Sequence, residues 1–238
     1  MTALISRSKV RLERGAPDSL FVSKLTKESV SEVEKEIETV RENTEFRSLI
    51  EQTLVSGGRT NYVQICAPFE LYALTKLCVP KHIVEVGVSS GVSSAYFLQA
   101  LYENGRGLLH CIDLPKREAE RKSSRPLRGA SWALPTGKES GWAVPSYLRR
   151  DWDLRLGKSG DVLPSLIKQL PRVDLFLYDV PYEIDEAIDD FRTVDQKLRK
   201  GSIALADNCL VPITWWAKRR KTQIHRRKGS GLRGFGVT

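Results

Sequence analysis

Between residues 83 and 95 an apolar run of Ile83, Val84 and Val86 carries an embedded acid, Glu85, and breaks at Gly87 and Gly91, with Ser89 between them. A Gly-spaced turn between a strand and a helix brings backbone N–H groups at the helix N-terminus against a ligand, and glycine removes the Cβ that would keep the ligand away. The spacing narrows the ligand. A dinucleotide fingerprint reads G-x-G-x-x-G with its acid about twenty residues later. Here the glycines read G-x-x-x-G and the acid precedes them. Three more carboxylates, Asp113, Asp179 and Asp207, each follow an apolar run as Glu85 follows Ile83 and Val84.

Apolar runs separated by helical stretches supply the elements that must position these groups. Strands are expected over 83–86, 107–112, 152–156, 174–178 and 202–206, with helices over 93–103, 162–170 and 183–197 between them. That alternation predicts a parallel sheet covered on both faces, whose ligands bind beyond the carboxyl ends of the strands. Ahead of it, Val33, Ile37 and Val40 recur at helical spacing behind Ser31 and Glu34, which read as a capping box, and a further helix is expected over Pro68–Cys78. Residues 1–79 are therefore read as an N-terminal helical cap and residues 80–238 as the core. Residues 114–150 are too long for a bare connector and read either as a solvated insertion or as a lid or substrate wall carrying Trp132, Trp142 and Tyr147.

The formal net charge of +9 is concentrated at one end. Residues 208–238 hold eight Lys or Arg and no Asp or Glu, which leaves 30 basic and 29 acidic groups in the first 207 residues. Clustered cations are the footprint of nucleic-acid binding, so an RNA-binding protein, catalytic or not, is the alternative reading. The favoured reading is a hairpin with a solvated basic face, turning at Lys228–Gly231. Trp215 and Trp216 belong either to the core or to an acceptor pocket. Cys66, Cys78, Cys111 and Cys209 sit singly in apolar stretches and read as reduced core residues, and His82, His110 and His225 lack metal-ligand spacing. With no apolar run long enough for a membrane span and no apolar signal-peptide core near Met1, a cytoplasmic protein with no membrane partner is expected. Homo-oligomer formation is left open by the sequence.

Residues from about 80 to 238 resemble class I S-adenosylmethionine-dependent methyltransferases, and most of all the small O-methyltransferase branch, methyltransferase family 24, with catechol O-methyltransferase as a distant cousin. The resemblance implies a Rossmann-like doubly wound α/β sheet, mostly parallel, with a C-terminal antiparallel hairpin. It implies cofactor contacts from Glu85, Gly87, Ser89 and Gly91, from Asp113 on the ribose hydroxyls, and from Ser159, Gly160 and Asp161 along the adenine. It further implies magnesium held by Asp179, Asp207 and Asn208, and O-methylation of a small-molecule acceptor of sugar or natural-product type. One departure stands out. Where the metal-dependent cousins carry Lys and the closer family His, this chain has Tyr182, and a phenol is a poor general base unless its pKa is strongly lowered. Asp179 and Tyr182 are the catalytic candidates.

Overall fold

The computed structural model describes residues 15–57, 67–115, 134–135, 137–180 and 183–238. Five apolar segments form the parallel strands β1 (His82–Val86), β2 (Leu108–Asp113), β3 (Trp152–Leu156), β4 (Val173–Tyr178) and β5 (Leu198–Ala206). Two short strands, β6 (His225–Arg226) and β7 (Arg233–Gly236), pair antiparallel with each other, and β7 pairs antiparallel with β5. The sheet order is β3-β2-β1-β4-β5-β7-β6. The chain reverses its winding between β1 and β4, which makes that boundary the topological switch point where doubly wound sheets bind ligands. Fold and terminal hairpin are as the sequence implied.

Helices cover both faces. On one lie α1 (Ser19–Thr26), α2 (Val30–Glu42), α3 (Thr44–Ser56), α4 (Pro68–Cys78) and α5 (Val92–Asn104), whose apolar residues join Ile83, Leu109, Leu175 and Leu205 in one core. On the other lie α6 (Ser159–Gln169), α7 (Ile184–Asp195) and α8 (Leu210–Arg219), packed on Val84, Val86, Phe176 and Ala204. A 3-10 turn over Ser146–Asp151 leads into β3.

The helical cap differs in detail from expectation. The capping box at α2 is Ser29 with Glu32, not Ser31 with Glu34. Lys27 takes a left-handed conformation (φ 71°) and ends α1, so the next helix starts at Val30 and Ser31 falls inside its first turn. Asn43 then ends α2 and caps α3 by accepting from the Phe46 N–H (3.1 Å).

Arg227 corrects the picture of a solvated basic face. Arg227 and Glu70 are each 1% exposed, and the Arg227 Nε donates to Glu70 Oε1. Arg227 Nη2 also donates to Ala16 O (3.2 Å), while Glu70 Oε1 accepts from Asp18 N–H (2.9 Å) and Asp18 Oδ2 from Lys228 N–H (2.8 Å). The pair fastens the hairpin to α4 and to the entry of α1. Trp216 is likewise a core residue: it stacks on Phe191 (4.7 Å between ring centroids) and its indole N–H donates to Asp195 (2.5 Å). Among the described residues Cys78, Cys111 and Cys209 are free thiols, and no helix is long and apolar enough to cross a membrane.

Removing one partner of a buried pair strands the other charge without solvent. Arg227→Met should therefore lower unfolding stability by about 3–5 kcal/mol in a urea titration, whereas Glu70→Leu combined with Arg227→Met should recover most of the loss.

Candidate functional site

The site is organised by a backbone contact. The Gly87 N–H donates to Ile112 O (2.9 Å), and Asp179 N–H donates to Val86 O (2.9 Å), so the ladders of β1 run one step past its end toward both neighbours. Gly87 has φ +96°, and a Cβ there would lie 2.1 Å from the Asp179 carbonyl oxygen. Only glycine fits where these strand ends meet. Gly91, at φ +87°, opens α5, and a Cβ there would lie 2.7 Å from Gly141 Cα.

Glu85 is fully buried. Its two carboxylate oxygens accept from Ser93 Oγ and Ser94 Oγ, both at 2.5 Å, and from Cys111 Sγ at 3.1 Å. Burial pushes its carboxyl upward from the usual range and these hydrogen bonds pull it back down. Its place is thus between β1, β2 and the first turn of α5, which it ties together through those side chains.

Asp113 closes β2 on the other side of the turn. Its Oδ2 accepts from Ser89 N–H (3.1 Å) and Ser140 Oγ (2.5 Å), with Ser89 itself in the left-handed region at φ 49°. Ser140 begins the stretch that lies over the turn: Gly141 N–H donates to Ser89 O (2.8 Å) and Ala143 N–H to Ser90 O (2.9 Å). Within the 114–150 segment, residues 140–144 thus form a wall against the Gly turn, while Trp132 lies outside the described residues. The Trp142 ring fills the space over Gly57, where a Cβ would lie 2.2 Å away.

Ser159, Gly160 and Asp161 make the first turn of α6. The preceding Gly157 N–H donates to Asp113 O (2.9 Å), which sets this turn beside the β2 end. Ser159 Oγ donates to Asp190 Oδ2 of α7 (2.6 Å), and nothing lies within 4 Å of the place a Gly160 Cβ would take.

The second carboxylate group sits at the ends of β4 and β5. Asp207 N–H donates to Tyr178 O (3.0 Å), which sets Asp207 one ladder step beyond the β4–β5 pairing and beside Asp179. Burial first, then the charges of Asp207 and Glu85, push the Asp179 carboxyl up to about 7. Asn208 is left-handed (φ 52°), and its Nδ2 donates to Asp207 Oδ2 (3.0 Å). The hairpin turn closes over them: a Cβ on Gly231 would lie 2.1 Å from Asn208 Oδ1 and 2.8 Å from Asp207 Oδ1.

Two clusters, Glu85–Gly91 with Asp113 and Asp179 with Asp207 and Asn208, thus meet at Gly87, and Tyr182 lies outside the described residues. Sequence reasoning missed Ser93, Ser94 and Ser140. The two serines directly following the Gly91 turn were a readable signal; Ser140, 27 residues from Asp113, left none.

The methyltransferase domain model of family 24 matches residues 84–209, from β1 to the residue after Asn208. The chain belongs to this family of class I S-adenosylmethionine-dependent methyltransferases. No curated protein matches the sequence. Among solved structures, a Bacillus cereus O-methyltransferase in complex with S-adenosylhomocysteine is 14% identical at a TM-score of 0.56, covering 80% of this chain and 91% of its own. TomG, an O-methyltransferase of tomaymycin synthesis from Streptomyces achromogenes solved with S-adenosylmethionine, is 17% identical at 0.53, covering 82% and 91%. A Geobacter sulfurreducens methyltransferase is 18% identical at 0.51, covering 81% and 89%. At such identities the likeness carries the fold.

The raised Asp179 carboxyl gives this methyltransferase a pH signature. A carboxyl whose folded pKa lies above its unfolded value binds the extra proton in the folded state, so its stabilisation is present at acid pH and is lost as pH climbs from 3.8 toward about 7. In cofactor-free, metal-free protein, Asp179→Asn should flatten the fall in melting temperature across that window and leave the variant more stable than the parent at pH 8.

Proposed function

We propose that this methyltransferase moves the methyl group of S-adenosylmethionine to a hydroxyl oxygen of a small molecule, with Asp179, Asp207 and Asn208 at the acceptor end. The observation that carries this reading is the carboxylate pair at the β4 and β5 ends, joined to the Gly turn through the Gly87–Asp179 contact. That the similar Bacillus and Streptomyces proteins are O-methyltransferases supports an oxygen acceptor.

The residues present suit the cofactor. Glu85 holds the turn rigid, and Asp113 offers a carboxylate at the β2 end, where ribose hydroxyls can be held with Ser140 as a second partner. S-adenosylmethionine brings its own reactive methyl on a sulfonium, so the protein's work is chiefly alignment of that carbon with the attacking oxygen. The acceptor end suits a hard cation as well. Two carboxylates that repel each other, plus the Asn208 amide oxygen, are oxygen donors of the type magnesium takes, although among the described residues no three His, Cys, Asp or Glu form a metal cluster. Magnesium bound there would lower the pKa of the acceptor hydroxyl.

Asp179 can also act directly. With no cation between the two acids, its carboxyl is held near pH 7 and is a far better proton acceptor at neutral pH than the Tyr182 phenol, whose ordinary pKa is about 10. Asp207 keeps that basicity raised. The small-molecule acceptor is further favoured over RNA because the basic tail is partly consumed internally: Arg227 is buried against Glu70, and Arg220 Nε donates to Asp195 (2.6 Å).

Turnover measured as S-adenosylhomocysteine release, over a panel of hydroxylated small molecules, tests the reading. Asp179→Asn and Asp207→Ala should each cost about 100-fold or more in kcat with cofactor affinity kept, and Tyr182→Phe should cost little. Chelation should lower the parent's rate and added magnesium restore it; a rate indifferent to both Asp substitutions contradicts the proposal.

A further inference from the structure

Resting on the methyl-transfer reading above, we propose that the acceptor carries an anionic group, a carboxylate or a phosphate, which docks on the arginine pair Arg226 and Arg233 beside the reaction centre. The strand register sets the pair there. Arg226 lies directly opposite Arg233 across β6 and β7, and Arg233 lies opposite Ala206, the residue before Asp207. Cross-strand partners share a face of the sheet, so two guanidinium-bearing side chains stand side by side, and directly opposed like charges destabilise a sheet. Among the described residues no carboxylate lies within ion-pair distance of either one, whereas two other tail arginines have acids of their own, Arg220 with Asp195 and Arg227 with Glu70. An arrangement that costs the free protein is offset when an anion bridges it.

The local geometry is suited to such a bridge. Arg233 Nη1 donates to Gly231 O (2.7 Å), the turn residue that lies against Asp207 and Asn208, so the guanidinium is held within one residue of the carboxylate end. The buried Arg227–Glu70 pair and the Arg227 N–H bond to Leu232 O (3.0 Å) fix the hairpin before any ligand arrives. Guanidinium groups match carboxylate and phosphate geometry through two parallel N–H bonds.

Charge also fixes orientation. Before a cation enters, Asp179 and Asp207 repel an anion, so an acceptor with one charged end and one hydroxyl end is driven to put the charge on the arginines and the hydroxyl on the carboxylates. Leu210 and Val211, 51% and 54% exposed, open α8 directly after Asn208 and Cys209 and offer apolar contact to the body of such a molecule. The structure thus favours a compact apolar scaffold with a hydroxyl and an acid group.

Full-length protein loaded with S-adenosylhomocysteine would be titrated calorimetrically with dihydroxybenzoate and with its uncharged analogue, dihydroxybenzyl alcohol, with phosphate or acetate as competitor. The benzoate should bind roughly tenfold more tightly than the alcohol. That advantage should shrink at high salt, and it should vanish in Arg226→Gln combined with Arg233→Gln, with S-adenosylhomocysteine affinity unchanged. Exposed Arg226 gives a single variant that keeps the fold, and Arg226→Gln alone should melt higher than the parent in anion-free buffer. Stronger competition by phosphate than by acetate assigns a phosphorylated acceptor and the reverse a carboxylated one, and either supports the site. Equal affinity for benzoate and alcohol, no binding of any anion, or a preference that survives the double substitution overturns it. Intact S-adenosylhomocysteine binding in those cases leaves the methyl-transfer reading standing, whereas its absence in the parent is the failure of that reading itself.

Discussion

Everything at the carboxyl edge of this sheet depends on how closely β1 and β4 approach at Gly87. The Asp179 carbonyl lies where a side chain of residue 87 would be, so the two strand ends meet with no atoms to spare. That contact sets three things together. It turns the chain sharply into the loop that opens α5, it places the Asp179 carboxylate beside the loop, and it brings Asp179 close enough to Glu85 and Asp207 for their charges to raise its pKa. Burial alone would push Asp179 in the same direction, but the neighbouring acids make the group responsive to any cation that enters. The geometry of the turn and the electrostatics of the acceptor end are therefore one constraint seen twice.

A second constraint holds the periphery. Glu70 and Arg227 are 157 residues apart and buried together, and Asp18 donates its backbone N–H to the Glu70 carboxylate while its own carboxylate accepts from the Lys228 N–H. A buried ion pair contributes little net stability, yet it penalises any arrangement that separates its partners. Here it fixes the register of a two-residue strand, β6, which has too few ladder bonds to hold itself. The hairpin turn is thereby kept against Asp207 and Asn208, and the helical cap is tied to the same edge. Cap and core also share one apolar cluster, from Phe21 and Ile50 through Tyr96 to Leu205.

Four of the five parallel strands were legible as apolar runs with a carboxylate in or directly after them, as strands buried on both faces read apolar, whereas β3 carries Asp153 and Arg155 and is followed by Gly157. Helix α4 was legible because Pro68 and Val79-Pro80 punctuate it. The terminal hairpin showed in its Gly229 and Gly231 turn. What the sequence concealed was decided by partners far away in the chain. Helix α1 is short and owes its end to a left-handed Lys27, which no periodicity announces. Helix α8 was hidden among the cations of the tail, although Ile213, Trp216 and Ala217 form its buried face. Arg227 looked like one more solvated cation because its acid lies in α4. At the site, the strand-end carboxylates and glycines could be read and the serine pair behind Gly91 was a usable signal, while Ser140 left none, because its short hydroxyl gains its role only from the distant carboxylate it is folded against.

The central claim is that the Gly turn and Asp113 form a cofactor site of the class I type. The most direct measurement is a calorimetric titration of the protein with S-adenosylmethionine, repeated on Asp113→Ala. Saturable binding at one site per chain, weakened at least about tenfold by the substitution, is the predicted result. Absence of binding to the parent protein, or equal affinity in the two, would contradict the account.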